Sequence, residues 1–143
     1  MYVESVLKIK GSNVVTANPD MPVNLVAKLL ADAGIGAVVI SADNVRVEGI
    51  LSERDIVAAI ASKGEAALGM PASALMTREV VTCAPDDHMA SLMAVMTEKH
   101  IRHLPVLIDG GLAGIISIGD VVKCRVQEAE SEAEALRNYV TQG

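Results

Sequence analysis

The chain has 143 residues, 51% of them hydrophobic but only 1% aromatic, with a formal charge of −6 and two cysteines. That length and apolar content suit one domain or two small halves that share a core. The acidic balance argues against nucleic acid or an anionic membrane as partner, since both call for clustered Lys and Arg.

Cys83 and Cys124 lie far apart with no metal-ligand spacing, which points to free thiols in a reducing compartment. Met1 to Gly11 carries Glu4, Lys8 and Lys10 and no apolar stretch of signal length, and no run approaches a membrane span. A soluble, cytoplasmic protein is expected. Tyr2 and Tyr139 are the only phenyl-type rings, so the core must be built from Val, Ile, Leu, Ala and Met. A bound base would find no Phe or Trp to stack on.

From Val14 the chain repeats itself. Val14-Val15-Thr16-Ala17-Asn18-Pro19-Asp20 returns 66 positions later as Val80-Val81-Thr82-Cys83-Ala84-Pro85-Asp86. A helical pattern follows each copy: Val23, Val26, Ala27 and Leu30 in the first, Met89, Leu92, Met93 and Met96 in the second. The methionine stripe reads as adaptable core. Turns at Ala33-Gly34-Ile35-Gly36 and Lys99-His100-Ile101-Arg102 lead into strands, Ala37 to Ile40 and Leu104 to Ile108. Second strands are expected at Val45 to Leu51 and Leu112 to Ile116, then helices from Glu53 to about Lys63 and from Ile118 onward. Gly64 to Ala74, rich in Gly, Ala and Pro, joins the copies. His88 and His100 have no companion at metal spacing.

Each second strand delivers the same corner. Gly49-Ile50-Leu51-Ser52-Glu53-Arg54-Asp55 and Gly114-Ile115-Ile116-Ser117-Ile118-Gly119-Asp120 both read glycine, two apolar residues, serine, two residues, aspartate. The serine stands where an N-cap belongs. Each corner therefore offers a hydroxyl, free backbone N–H groups and a carboxylate. A helix N-terminus favours phosphate, and a carboxylate accepts bonds from a pair of sugar hydroxyls. Ser52 and Ser117 also read as plain capping residues, with the acids suited to a first turn. The repetition favours the nucleotide reading.

These motifs together resemble a tandem pair of cystathionine-β-synthase (CBS) domains, a Bateman module. They are Val14-Val15-Thr16 with Pro19, Val80-Val81-Thr82 with Pro85, Met76-Thr77, Ile101-Arg102-His103-Leu104-Pro105-Val106 and both corners. The resemblance implies an α+β fold of two pseudo-two-fold-related β-α-β-β-α repeats packed through their sheets, with an extended C-terminal helix. The expected boundaries are 5–66 for the first repeat, 73–126 for the second and 127–143 for the extension. The resemblance also implies clefts for adenosine nucleotides (AMP, ADP, ATP or NAD, sometimes S-adenosylmethionine) as regulatory ligands, with no cofactor required, and a homodimer. It gives Asp55 and Asp120 the ribose hydroxyls, Ser52 and Ser117 phosphate or ribose, and the backbone at Thr16 and Thr82 the adenine. The two threonines read equally as plain strand formers.

Some residues occur in one copy only. Arg54 stands where the second copy has Gly119, and a guanidinium beside a helix N-terminus suits a phosphate clamp better than the dipole. Arg102 and His103 stand where the first copy has Gly36 and Ala37, and their functional reading is phosphate contact across the cleft. Each also reads as a solvated arginine or a backbone-satisfied histidine. Pro105 has no N–H to give a ladder, which frees a neighbouring carbonyl for an adenine amino group. The two clefts should therefore bind unequally.

In the last helix Val122, Val126, Ala129, Ala133, Leu136 and Val140 form a heptad seam flanked by Glu128, Glu130, Glu132 and Glu134. That seam either joins a second subunit or folds back on its own chain. No nucleophile–base–acid set, Walker loop or metal cluster is present in the sequence. A regulatory nucleotide sensor that acts on an unidentified protein target is the favoured reading. A ligand-independent dimerisation module and a nucleotide-processing enzyme are the alternatives.

Overall fold

The computed structural model describes residues 1–142. In chain order the elements are α1 (Val3–Lys10), β1 (Thr16–Ala17), α2 (Val23–Ala33), β2 (Ala37–Ile40), β3 (Gly49–Ser52) and α3 (Glu53–Lys63). A 3-10 helix (Gly64–Gly69) and α4 (Ala72–Leu75) form the joint. Then come α5 (Met89–Lys99), β4 (His103–Ile108), β5 (Gly111–Ser117) and α6 (Ile118–Gln142). The fold is α+β, with two small sheets and a long C-terminal helix, as expected.

In the first sheet β1 runs parallel to β2, and β2 antiparallel to β3 from Ala37↔Ser52 to Ile40↔Gly49. The second sheet pairs β4 with β5 from His103↔Ser117 to Ile108↔Gly111, with an irregularity between Val106 and Leu107. The duplication is visible in the register. Ala17↔Ile40 in the first repeat returns as the bridge Cys83↔Val106, both partners shifted by 66 positions. The expected first strand of the second repeat shrinks to that one bridge. The counterpart of Thr16↔Val39 would join Thr82 to Pro105, which has no N–H to donate. Helices α2 and α5 end alike, on left-handed residues Gly34 (φ 65°) and His100 (φ 55°).

The strand expected from Val45 starts only at Gly49. Asp43 Oδ1 accepts the N–H groups of Val45 and Arg46, both at 2.9 Å, and Asn44 turns left-handed (φ 63°). That Asx turn outcompetes the ladder. Val45 is not idle, because its carbonyl accepts the Leu112 N–H at 2.8 Å and ties the two repeats together.

The N-terminal segment, for which no element was expected, is helix α1. It does not pack on the repeat that follows it. Val3 and Val6 lie in the core of the second repeat with Met89, Leu92, Met96, Leu104 and Ile116. Reciprocally, Ala72 of α4, with Leu75 and Met76 beside it, packs in the core of the first repeat against Val23, Val26 and Leu51. The docking bonds match one to one. Val3 N–H donates to Asp87 O (2.9 Å), Glu4 N–H to Pro85 O (2.9 Å) and Met89 N–H to Met1 O (3.0 Å). Ala72 N–H donates to Met21 O (2.8 Å), Ser73 N–H to Pro19 O (3.0 Å) and Val23 N–H to Met70 O (2.9 Å). Each repeat is thus completed by a helix that leads into the other.

Helix α6 runs unbroken through the expected end of the second repeat and the extension. It packs through Val121 and Cys124, both buried. The seam residues do not cover their own chain: Val126 is 50% exposed, Leu136 64% and Val140 70%. No helix among the described residues is long and apolar enough to cross a membrane.

Candidate functional site

The first corner is built by a capping box. Ser52 leaves β3 in an extended conformation, so its side chain faces the first turn of α3. Its Oγ accepts the Asp55 N–H at 3.2 Å, and Asp55 Oδ2 accepts the Ser52 N–H at 3.0 Å. The strand can reach this position because Gly49 has no Cβ and lies against Met76. Ile50 and Thr77 then exchange both backbone hydrogen bonds, at 2.9 and 3.0 Å. The chain leaving α4 is thereby held beside the corner.

A cleft of about 690 Å³ opens there, within the range of small-molecule sites. One wall carries Ser52, Arg54 and Asp55, and Thr77, Glu79 and Val81 line it from the chain that leaves α4. Arg102 and His103 close it from the other repeat. Five residues singled out in the sequence, from two repeats, therefore meet at one crevice. Arg54 and Arg102 are exposed, and neither makes an ion pair among the described residues. Burial is the main influence holding the His103 imidazole below its ordinary value; the Lys10 and Arg102 charges add to it against Glu53 and Asp120.

The second corner repeats the reciprocal cap. Asp120 Oδ2 accepts the Ser117 N–H at 2.8 Å and the Ser117 hydroxyl at 3.0 Å, while Ser117 Oγ accepts the Asp120 N–H at 3.3 Å. It differs in one respect: Lys10 Nζ donates to Asp120 Oδ2 at 2.7 Å and to the Ile115 carbonyl at 2.9 Å. Burial alone would push the Asp120 carboxyl up. The bonds and charge of Lys10, with the Ser117 bonds, outweigh it and hold the group below its ordinary value.

The other candidates lie apart from the first cleft. The Thr16 hydroxyl donates to the Asn44 side-chain oxygen. Thr82 is exposed, and the cleft wall is formed by Val80 and Val81 just before it. Pro105 is buried in β4, with its carbonyl accepting the Cys83 N–H at 2.9 Å. Thr77, Glu79 and Lys10 are the residues that sequence reasoning passed over as site components. Val3, Val6 and Leu7, at helical spacing, were the available signal for α1. Burial, with help from the Asp87 charge, pushes the Cys83 thiol up to about 12, which disarms it as a nucleophile. Among the described residues no group of three or more His, Cys, Asp or Glu could hold a metal ion.

Comparison with known proteins places the fold in a family. The family model of the CBS domain matches twice, at residues 6–62 and 72–126. A solved CBS-domain-containing protein of Agrobacterium tumefaciens is 45% identical and superposes with a TM-score of 0.85, over 87% of this chain and 99% of that one. A mitochondrial CBS-domain protein of Arabidopsis thaliana, CBSX3, is 30% identical over 99% of this chain and 72% of its own length. The CBS-domain pair of protein MJ0100 is 22% identical with a TM-score of 0.79, over 90% of this chain and 98% of that one. With the two repeats matched in order over most of its length, the chain belongs to the CBS-domain family.

Proposed function

We propose that the chain is a regulatory module whose first cleft binds an adenosine nucleotide (AMP, ADP, ATP or NAD). The observation that carries this reading is the meeting of Ser52, Arg54 and Asp55 with Arg102 and His103 across one crevice. Asp55 gives only Oδ2 to the cap, which leaves carboxylate acceptor capacity for the two ribose hydroxyls. Since the Glu53 and Asp55 N–H groups are held by the Gly36 carbonyl and Ser52 Oγ, the Ser52 hydroxyl and the Arg54 N–H face the phosphate. The unpaired guanidiniums of Arg54 and Arg102 clamp it from opposite walls. His103, held below its ordinary value chiefly by burial, lines the same crevice beside Arg102. The MJ0100 pair was solved with 5′-methylthioadenosine and S-adenosyl-L-methionine, both of which carry an adenosyl group.

With no Phe or Trp to stack the base, affinity falls at about micromolar to millimolar. The module works by linkage rather than catalysis: ligand affinity that differs between two arrangements shifts assembly, or docking on a protein target. The bare seam of α6 supports a homodimer, and it also favours a second reading, a dimerisation module that works without ligand. Calorimetry with AMP, ATP and NAD decides between them. Saturable binding that is weakened at least tenfold by Asp55→Ala supports the sensor. No heat with any of the three leaves the dimerisation module.

A further inference from the structure

The two repeats treat equivalent carboxylates differently, and α1 is the cause. The matched docking bonds align Val3 with Ala72 and Glu4 with Ser73. Leu7 aligns with Met76 by its place over the corner glycine, Leu7 against Gly114 and Met76 against Gly49. From that point the copies diverge. Helix α4 ends at Leu75, and the chain unwinds so that the Thr77 N–H bonds the Ile50 carbonyl at 2.9 Å. Helix α1 continues to Lys10, and the equivalent carbonyl, Ile115, receives the Lys10 ammonium at 2.9 Å. The same ammonium caps Asp120 Oδ2, which then holds three donors at 2.7, 2.8 and 3.0 Å. Asp55 Oδ2 holds one, the Ser52 N–H. The Lys10 and Asp120 side chains are 31% and 19% exposed, so the pair is partly shielded from water.

We propose that Lys10 is a built-in competitor for the second corner: its ammonium occupies Oδ2 of Asp120, one of the two oxygens that would hold a ribose, so the second corner binds more weakly and each chain binds one adenosine nucleotide tightly, in the first cleft. This rests on the nucleotide reading of the first cleft. Asp120 Oδ2, already accepting a cation and two further donors, has no lone pair for a sugar hydroxyl, so Oδ1 alone is left for a ribose, whereas Asp55 offers Oδ1 and an Oδ2 that holds a single donor. A nucleoside at the second corner must first turn the Lys10 side chain out of a charge-assisted bond, which lowers affinity there by about tenfold or more. Only that side chain has to move, because α1 is anchored separately through Val3, Val6 and its backbone bonds.

The test is calorimetric titration of the full chain with AMP. Lys10→Met keeps the aliphatic stem and removes the charge. The expected results are one AMP per wild-type chain, none for Asp55→Ala, and one again for Asp55→Ala with Lys10→Met, lost once more on adding Asp120→Ala. Two equal sites in the wild type, or no recovery in the double variant, overturns the competitor while leaving the first-cleft reading in place. No AMP bound by the wild type or by Lys10→Met overturns the nucleotide reading and the competitor with it. Carboxyl NMR titration supplies a ligand-free check: the Asp120 midpoint must rise in Lys10→Met, and an unmoved midpoint refutes the ion pair in solution.

Discussion

Gly49→Ala tests how the first cleft is assembled. A Cβ at Gly49 would overlap Met76 Sδ and stand 2.7 Å from Met76 Cγ and 3.0 Å from its Cβ. The thioether tip can rotate away, but the Met76 Cβ is fixed to a backbone docked by the neighbouring Thr77–Ile50 bonds. Relief therefore requires β3 and the joint to move apart by several tenths of an ångström. Such overpacking costs about 2 kcal/mol, or roughly 4–8 °C in Tm for a chain of this size. Gly114→Ala is the internal control. There the new Cβ meets only the branched end of Leu7, with Cδ2 at 2.7 Å and Cδ1 at 3.1 Å, so the cost should be smaller. Urea denaturation of Gly49→Ala, Met76→Ala and the pair measures the contact directly, because the double variant should be more stable than the sum of the singles by about 1 kcal/mol or more. If Gly49→Ala lies within about 0.5 kcal/mol of wild type, or the pair is additive, the close approach of joint and strand is wrong.

Four further outcomes follow from the same geometry. Ser52→Ala removes one half of the capping box and keeps the carboxylate, so it should cost about 1 kcal/mol of stability while weakening AMP less than Asp55→Ala does, as denaturation and calorimetry would show. His103 has a folded pKa below its ordinary 6.5, so its stabilising contribution is complete above that pH and is lost as pH falls through the folded value; His103→Gln should flatten the stability profile in that window. The same histidine makes AMP bind more tightly as pH drops from neutral, with adenosine, which has no phosphate, as the unresponsive control. In α6, Val126→Glu with Leu136→Glu should abolish self-association seen by sedimentation, and added salt should strengthen it in the wild type by screening the flanking glutamates.

The corners were legible because they are local: a serine and an aspartate three positions apart dictate the cap, and the cap fixes the turn. The extended segment around Thr16-Ala17 was legible in the same way, set off by Pro19, but its parallel pairing with β2 emerges only in the folded chain. Val45 was misread as strand because its alternation is strand-like, while a single Asp43 oxygen captures two successive N–H groups and bends the chain. Pro105 was placed correctly inside a strand, but its main effect is to truncate the pairing of Thr82. Lys10 could not be assigned from sequence. Its partner Asp120 lies 110 positions away, and the contact depends on α1 crossing to the far repeat, which no local pattern encodes.

That crossing has a consequence for synthesis. The first repeat lacks part of its interior until Ala72 and Met76 have left the ribosome, and the opening helix has nothing to rest on until the second repeat is made. Neither half should be recoverable as an independently folding fragment, and the chain should melt as a single cooperative unit despite its internal repeat.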